Sequence, residues 1–307
     1  MTKVGRSFHL WGRPGASALP GLVSRHEQIR AAGRKRTFLC VTDRPTPASA
    51  AAPAAVLIVL HGSNQTGQAV RMFSGHSFDA LAKGGRVAVV YPDGLKKLWN
   101  HDKAGVRAAN DVAYMDALVD HFHRQYGPVP VVIAGFSNGG QLVIRLIHEI
   151  PQKLHGAAIV GAALPRPGGL VFADKCLPLP VMLIHGTHDL VVPYGGEGWL
   201  GSLFGKQRGP SAPETAQYFA GRNGITSTPL VTVLPHRPHS GKTSVTLTRY
   251  EQAGLAPVAL YTVVGGGHVV PNAHSRVIFV LGRTTRDISA VAALEEFFPV
   301  LSPQQPV

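Results

Sequence analysis

Short, unbroken apolar runs punctuate the chain: Val56 to Leu60 (VLIVL), Val87 to Tyr91 (VAVVY), Val129 to Ala134 (VPVVIA), Ala157 to Val160 and Val181 to Ile184 (VMLI). Their apolar positions are continuous rather than alternating, the pattern of strands covered on both faces. Between them, Phe78 to Lys83, Asp111 to Tyr126 and Gly140 to Ile150 carry helical periodicity. A capping signal at Asn110 and Asp111, ahead of Val112, Met115, Leu118, Val119 and Phe122, marks where the second of these helices starts. Strand and helix alternate in βαβ fashion, which predicts an α/β fold with a mostly parallel central sheet and helices on both faces. Further along, Pro213 to Phe219 reads as helix, Val245 to Tyr250 and Ala259 to Val263 as strands, and Asp287 to Phe298 as a closing amphipathic helix. Gly195 to about Pro210 reads as a long loop, and Thr42 to Pro53 and Pro229 to Ser240 as surface connections. Residues 1–36 have weak periodicity and a basic cluster at Arg34, Lys35 and Arg36. They are expected to form a basic N-terminal arm leading into a strand at Thr37 to Val41, with residues 37–307 as a single domain.

Composition supports a folded globular chain: of 307 residues, 45% are hydrophobic and 15% charged. Charge alters the picture more. Lys plus Arg number 30 against 17 Asp plus Glu, a formal +13, and such an excess concentrates anions near a surface without saying anything about fold. Cys40 and Cys176 are the only cysteines, too few for a disulfide scaffold, although one bridge remains open. Residues 1–30 hold no apolar run suited to a signal-peptide core, and no stretch is long and apolar enough to span a membrane.

The chemistry lies at the ends of the apolar runs. Gly135-Phe136-Ser137-Asn138-Gly139 fits G-x-S-x-G, with an apolar strand before it and an apolar helix after it. A serine on so sharp a turn needs neighbours without bulk and is lifted above the sheet at a helix N-terminus, so Ser137 is the expected nucleophile. Leu60 to Gly67 (LHGSNQTG) forms a turn at the carboxyl end of the first buried strand. Ser63 there and Asn138 after the nucleophile are the expected oxyanion donors, through their main-chain N–H groups. His61 in that turn can equally be structural. His185-Gly186-Thr187-His188-Asp189 follows the VMLI run, which favours Asp189 as the acid orienting a histidine, with Asp174 and Glu197 as rivals. Gly265-Gly266-Gly267-His268 follows another strand and makes His268 the expected general base, ahead of His185, His188 and His274. The order Ser, Asp, His is that of the α/β-hydrolase fold. No histidine pair carries the spacing of a zinc site and no phosphate or dinucleotide loop is present, so no metal or cofactor is required.

Taken together, LHGSNQTG, GFSNGG, HGTHD, GGGH and the stretch Arg286-Asp287-Ile288-Ser289-Ala290 resemble the polyhydroxybutyrate depolymerase-like esterases, a branch of the α/β-hydrolases that includes feruloyl-type esterases. The resemblance runs from about Val56 to Phe298 and implies carboxylic-ester hydrolysis through an acyl-enzyme. Depolymerases of this group often carry cysteine where Ser63 stands; the change keeps a main-chain donor there but removes a disulfide. Lys96, Lys97, Lys103, Arg107 and Arg166 follow strands on the side of the serine and are candidate contacts for an anionic polymer. In this respect the chain resembles the poly(aspartic acid) hydrolases of the same family. The expectation is therefore a secreted or periplasmic hydrolase of a polymer or oligomer, with a cytoplasmic location as the alternative, an anionic polymer such as poly(aspartic acid) being favoured over polyhydroxybutyrate or a feruloyl-type ester. The rival from another class is a non-catalytic polyanion-binding protein, though no recognised nucleic-acid motif is present and nucleic acid is not an expected partner.

Overall fold

The computed structural model describes residues 19–44, 52–102, 109–166, 168–170, 173–196, 209–272 and 281–302. Its strands are β1 (Leu22–Ala31), β2 (Arg34–Asp43), β3 (Ala55–Leu60), β4 (Val87–Pro92), β5 (Val131–Phe136), β6 (Gly156–Val160), β7 (Val181–Gly186), β8 (Leu230–Val233), β9 (Ser244–Tyr250) and β10 (Val258–Val264). They form one sheet in the order β1-β2-β4-β3-β5-β6-β7-β10-β9-β8. From β4 to β10 every neighbouring pair is parallel. On either side the sheet is completed by antiparallel strands.

Continuous apolar runs arise because both faces are covered. Val56, Ile58, Leu60, Val131 and Ile133 point into one core with helices α2 (Asp111–Tyr126), α3 (Asn138–Glu149) and α4 (Ala212–Arg222). Their alternates Leu57, Val59, Val132 and Ala134 point into a second core with α1 (Gly67–Phe73) and α5 (Ala290–Phe297). Helix starts follow local chemistry. Thr66, Asn110 and Ser289 accept the N–H three residues on, and Ser211 and Glu214 form a reciprocal capping box.

The expected arm over residues 1–36 is corrected where it is described. Residues 22–36 belong to the sheet, with β1 and β2 joined by a two-residue turn at Ala32 (φ 48°) and Gly33 (φ 73°). Two central residues at positive φ suit the twist of a hairpin. β1 escaped the periodicity because it is an edge strand, with Arg25, His26, Gln28 and Arg30 exposed; charge on an edge opposes unwanted pairing. The Pro229 to Ser240 connection contains the other edge strand, β8, whose four residues are all exposed. Phe78 to Lys83 is a 3-10 helix over Ser77–Ala82, and the closing helix begins at Ala290 rather than Asp287. Cys40 is buried in β2 and Cys176 is exposed, and both are free thiols. Among the described residues no helix is long and apolar enough to cross a membrane.

Candidate active site

Ser137 stands between the end of β5 and the start of α3 with φ 54° and ψ −118°, a strained conformation for a side chain with a Cβ. Its N–H donates to the Val160 carbonyl at 2.9 Å, tying the turn to the end of β6. The flanking glycines are there for space. A Cβ on Gly135 would lie 2.3 Å from the Gly139 carbonyl oxygen, and one on Gly139 would lie 2.6 Å from the carbonyl oxygens of Leu60 and His61.

Asp189 and His268 come together from the ends of β7 and β10. His268 Nδ1 lies 2.7 Å from Asp189 Oδ2. The other carboxylate oxygen accepts the N–H groups of Val191 (2.9 Å) and Val192 (2.8 Å). Asp189 is buried, and a hydrogen bond from Nδ1–H to its carboxylate leaves the imidazole Nε2 as the nitrogen free to accept a proton. The two turns are laced together: His188 N–H donates to the Gly266 carbonyl (2.8 Å) and Gly265 N–H to Thr187 Oγ1 (2.9 Å). His268 N–H is held by the Leu281 carbonyl at 2.7 Å. The imidazole packs on the Phe136 ring, centroids 4.8 Å apart, and over Gly161, where a Cβ would meet Nδ1 at 3.1 Å. Phe136 precedes Ser137, and Gly161 follows the Val160 carbonyl that binds Ser137. The pair therefore sits at the same strand ends as the serine.

Of the rival residues, His185 lies beside the pair and Asp174 does not. Asp174 is bound to Arg222 (2.8 Å) and to the Cys176 N–H (2.8 Å); His188 is exposed; Glu197 and His274 lie outside the described residues. His185 is buried beside the pair. Its Nε2 is 2.8 Å from the Val192 carbonyl and 3.5 Å from Asp189 Oδ2, and burial holds its pKa below the usual histidine value.

Ser63 is exposed and Asn138 buried. In the turn around Ser63, Gly62 N–H is taken by Gln65 Oε1 (3.0 Å), Asn64 N–H by the Lys97 carbonyl (2.9 Å) and Gln65 N–H by the Gly62 carbonyl (3.3 Å). Among the described residues no acceptor meets the N–H of Ser63 or of Asn138; Asn138, as the first residue of α3, has no intrahelical partner for it. His61 is structural: Nε2 accepts the Gly94 N–H at 2.9 Å, Nδ1 lies 2.7 Å from the Gly62 carbonyl, and burial lowers its pKa.

Of the expected cationic contacts, Lys96 and Lys97 are exposed in the loop after β4, whereas Lys103 and Arg107 lie outside the described residues. Arg166, after β6, lines a cavity of about 230 Å³ together with His101, Asp102, Gln141, Ile144 and Val192. Gln141 is one helical turn beyond Ser137. Sequence reasoning missed this cavity because its walls come from five separate segments. Among the described residues no three His, Cys, Asp or Glu side chains gather as a metal site.

Comparison with known proteins follows the same lines. The Phospholipase/Carboxylesterase family matches residues 95–198. Over 288 residues the chain is 28% identical to "Putative esterase NocK" of Nocardia uniformis subsp. tsuyamanensis, covering 88% of this chain and 81% of that one. It is 26% identical over 185 residues to the bifunctional acetylxylan esterase/xylanase XynS20E of Neocallimastix patriciarum, covering 59% of this chain and 26% of that protein. The acetyl xylan esterase of Aspergillus awamori superposes with a TM-score of 0.54 at 13% identity, over 81% of this chain and 96% of that one. The shared architecture is the α/β-hydrolase fold.

Proposed function

We propose, from the premise that this chain is a serine hydrolase of the α/β-hydrolase fold, that it cleaves carboxylic esters carried on a polymer or oligomer through an acyl-enzyme on Ser137. The observation that carries the reading is the Asp189–His268 pair, bonded at 2.7 Å at the strand ends that also hold the strained serine. In this reading His268 Nε2 takes the Ser137 hydroxyl proton as the oxygen attacks the ester carbonyl, then returns it to the leaving alcohol. Water repeats the sequence on the acyl-enzyme and frees the acid. The N–H groups of Ser63 and Asn138 receive the oxyanion of each tetrahedral intermediate. The two acetylxylan esterases among the relatives support an acylated polysaccharide as the substrate class, a bulky substrate met outside the cell, in keeping with a secreted or periplasmic site of action.

A second reading, an anionic polymer such as poly(aspartic acid), draws on the exposed Lys96 and Lys97, on Arg166 in the cavity wall and on the formal +13 charge. Acetylated xylo-oligosaccharides, a feruloyl ester, poly(3-hydroxybutyrate) and poly(aspartic acid) compared with wild type and Ser137→Ala decide between them. The expected result is hydrolysis of the neutral acyl esters, little changed by salt, with kcat lowered about 10⁶-fold in Ser137→Ala. Cleavage of poly(aspartic acid) alone, falling steeply as salt screens the cations, would replace the first reading by the second. Undiminished turnover by Ser137→Ala on every substrate cleaved would remove both.

A further inference from the structure

Trp99 lies in the loop after β4, 3% exposed, and was not singled out by any motif. Its main chain grips Asn138: Trp99 N–H donates to Asn138 Oδ1 at 2.7 Å, and Asn138 Nδ2 donates to the Trp99 carbonyl at 3.2 Å. Its side chain grips the other segment. The indole Nε1–H donates to the His61 carbonyl at 2.9 Å, and the ring lies against the His61 imidazole with centroids 4.7 Å apart. His61 is itself fixed by the Gly94 N–H.

A buried tryptophan needs an acceptor for its indole N–H wherever it packs. Trp99 is unusual in where its bonds end. Among the described residues all three of its hydrogen bonds reach the two segments that carry the Ser63 and Asn138 N–H groups, and none goes elsewhere. These bonds are buried, so water cannot replace them when one is removed. Oxyanion donors must sit 2.7–3.1 Å from the place an oxygen occupies in the transition state, and two donors on separate segments meet that condition only if the segments are held at a set distance.

We propose that Trp99 is a positioning residue that sets the separation of the Ser63 and Asn138 N–H groups. The proposal rests on the serine-esterase reading. Because the oxyanion exists only after attack, loosening its donors slows the chemical step while leaving ground-state binding nearly intact. A role confined to core packing would instead lower stability and spare the folded enzyme's kcat.

The test is Trp99→Phe in the full chain, which keeps an aromatic ring and deletes the N–H. Expected are a kcat lower by about 10- to 100-fold, a KM within about twofold of wild type, and a Ki for a trifluoromethyl ketone raised by the factor by which kcat/KM falls. Asn138→Ala, which removes the grip from the other side but retains the main-chain donor, is expected to act in the same direction and less than additively with Trp99→Phe. Unchanged kcat and Ki in folded Trp99→Phe, or a loss confined to KM, overturns the proposal. Should that variant fail to fold, unchanged kcat and Ki in Asn138→Ala overturns it instead. The esterase reading itself is tested on the wild-type background with Ser137→Ala, so its failure is read separately.

Discussion

At Gly161 the backbone has φ +59°, and the missing side chain leaves room for His268; a Cβ would stand 3.1 Å from Nδ1 and 3.5 Å from the Phe136 ring. Gly161→Ala is therefore expected to cost about 1–2 kcal/mol in backbone strain. It should also push the imidazole off Asp189, lowering kcat about tenfold or more; thermal unfolding and steady-state kinetics separate the two effects. Asp189→Asn retains the shape but removes the carboxylate that selects the tautomer, and kcat is expected to fall about 10⁴-fold with little change in KM. The candidate triad was legible because Ser137, Asp189 and His268 each lie on a glycine-punctuated turn directly after an apolar run. Trp99 was not legible in the same way. Trp99 binds an atom 38 residues away and acts on main-chain groups, so neither a spacing nor a residue-type pattern betrays it.

Among the elements, the least expected connection is that between the N-terminal hairpin and α2. Arg36 reaches from β2 to Asp111 at the start of α2, with 2.6 Å between Nη2 and Oδ1 and both side chains almost wholly buried. The guanidinium also covers the Tyr114 ring at 4.0 Å, and the second Asp111 oxygen accepts the Asn100 N–H at 2.7 Å. Arg36→Met is expected to destabilise by about 3–5 kcal/mol, since it leaves a buried carboxylate without its counter-charge. In the double variant Arg36→Met/Asp111→Leu much of that loss should return, because neither charge is left alone; urea midpoints at constant m measure both. The basic cluster at residues 34–36 was thus misleading: Arg34 and Lys35 are exposed but Arg36 is a core residue. Periodicity reported the central strands and α2 to α4 because burial on both sheet faces imposes it. It was silent on β1 and β8, where only one neighbour exists, and on α1, whose seven residues span about two turns.

For the molecule as a whole, charge and burial make acid the direction of weakness. Burial pulls the pKa of His61, His148 and His185 below the ordinary 6.5. Folded, these groups resist a proton that the unfolded chain accepts, so their contribution is fully present above 6.5 and is lost as the pH falls below it towards their folded values. Asp79 extends the effect. Burial alone would raise its pKa, but the nearby His76 imidazole and the hydrogen bonds from Arg71 and Tyr91 outweigh this and hold it below 3.8. Its contribution is present above 3.8 and is lost as the pH falls through the depressed folded value. Protonation of the 15 histidines adds to a formal charge already at +13, and self-repulsion of a cationic compact state acts in the same direction. The unfolding midpoint is expected to be nearly flat from about pH 8 to 7, to decline below 6.5 and to drop further below about 4. Added salt should relieve the repulsive part and leave the decline due to buried histidines, which involves desolvation rather than long-range charge. Thermal scans from about pH 8 to about 3 at low and high ionic strength measure both parts. A midpoint that rose between pH 7 and 5 would mean that the buried histidines gain protons on folding, the opposite of what their surroundings impose.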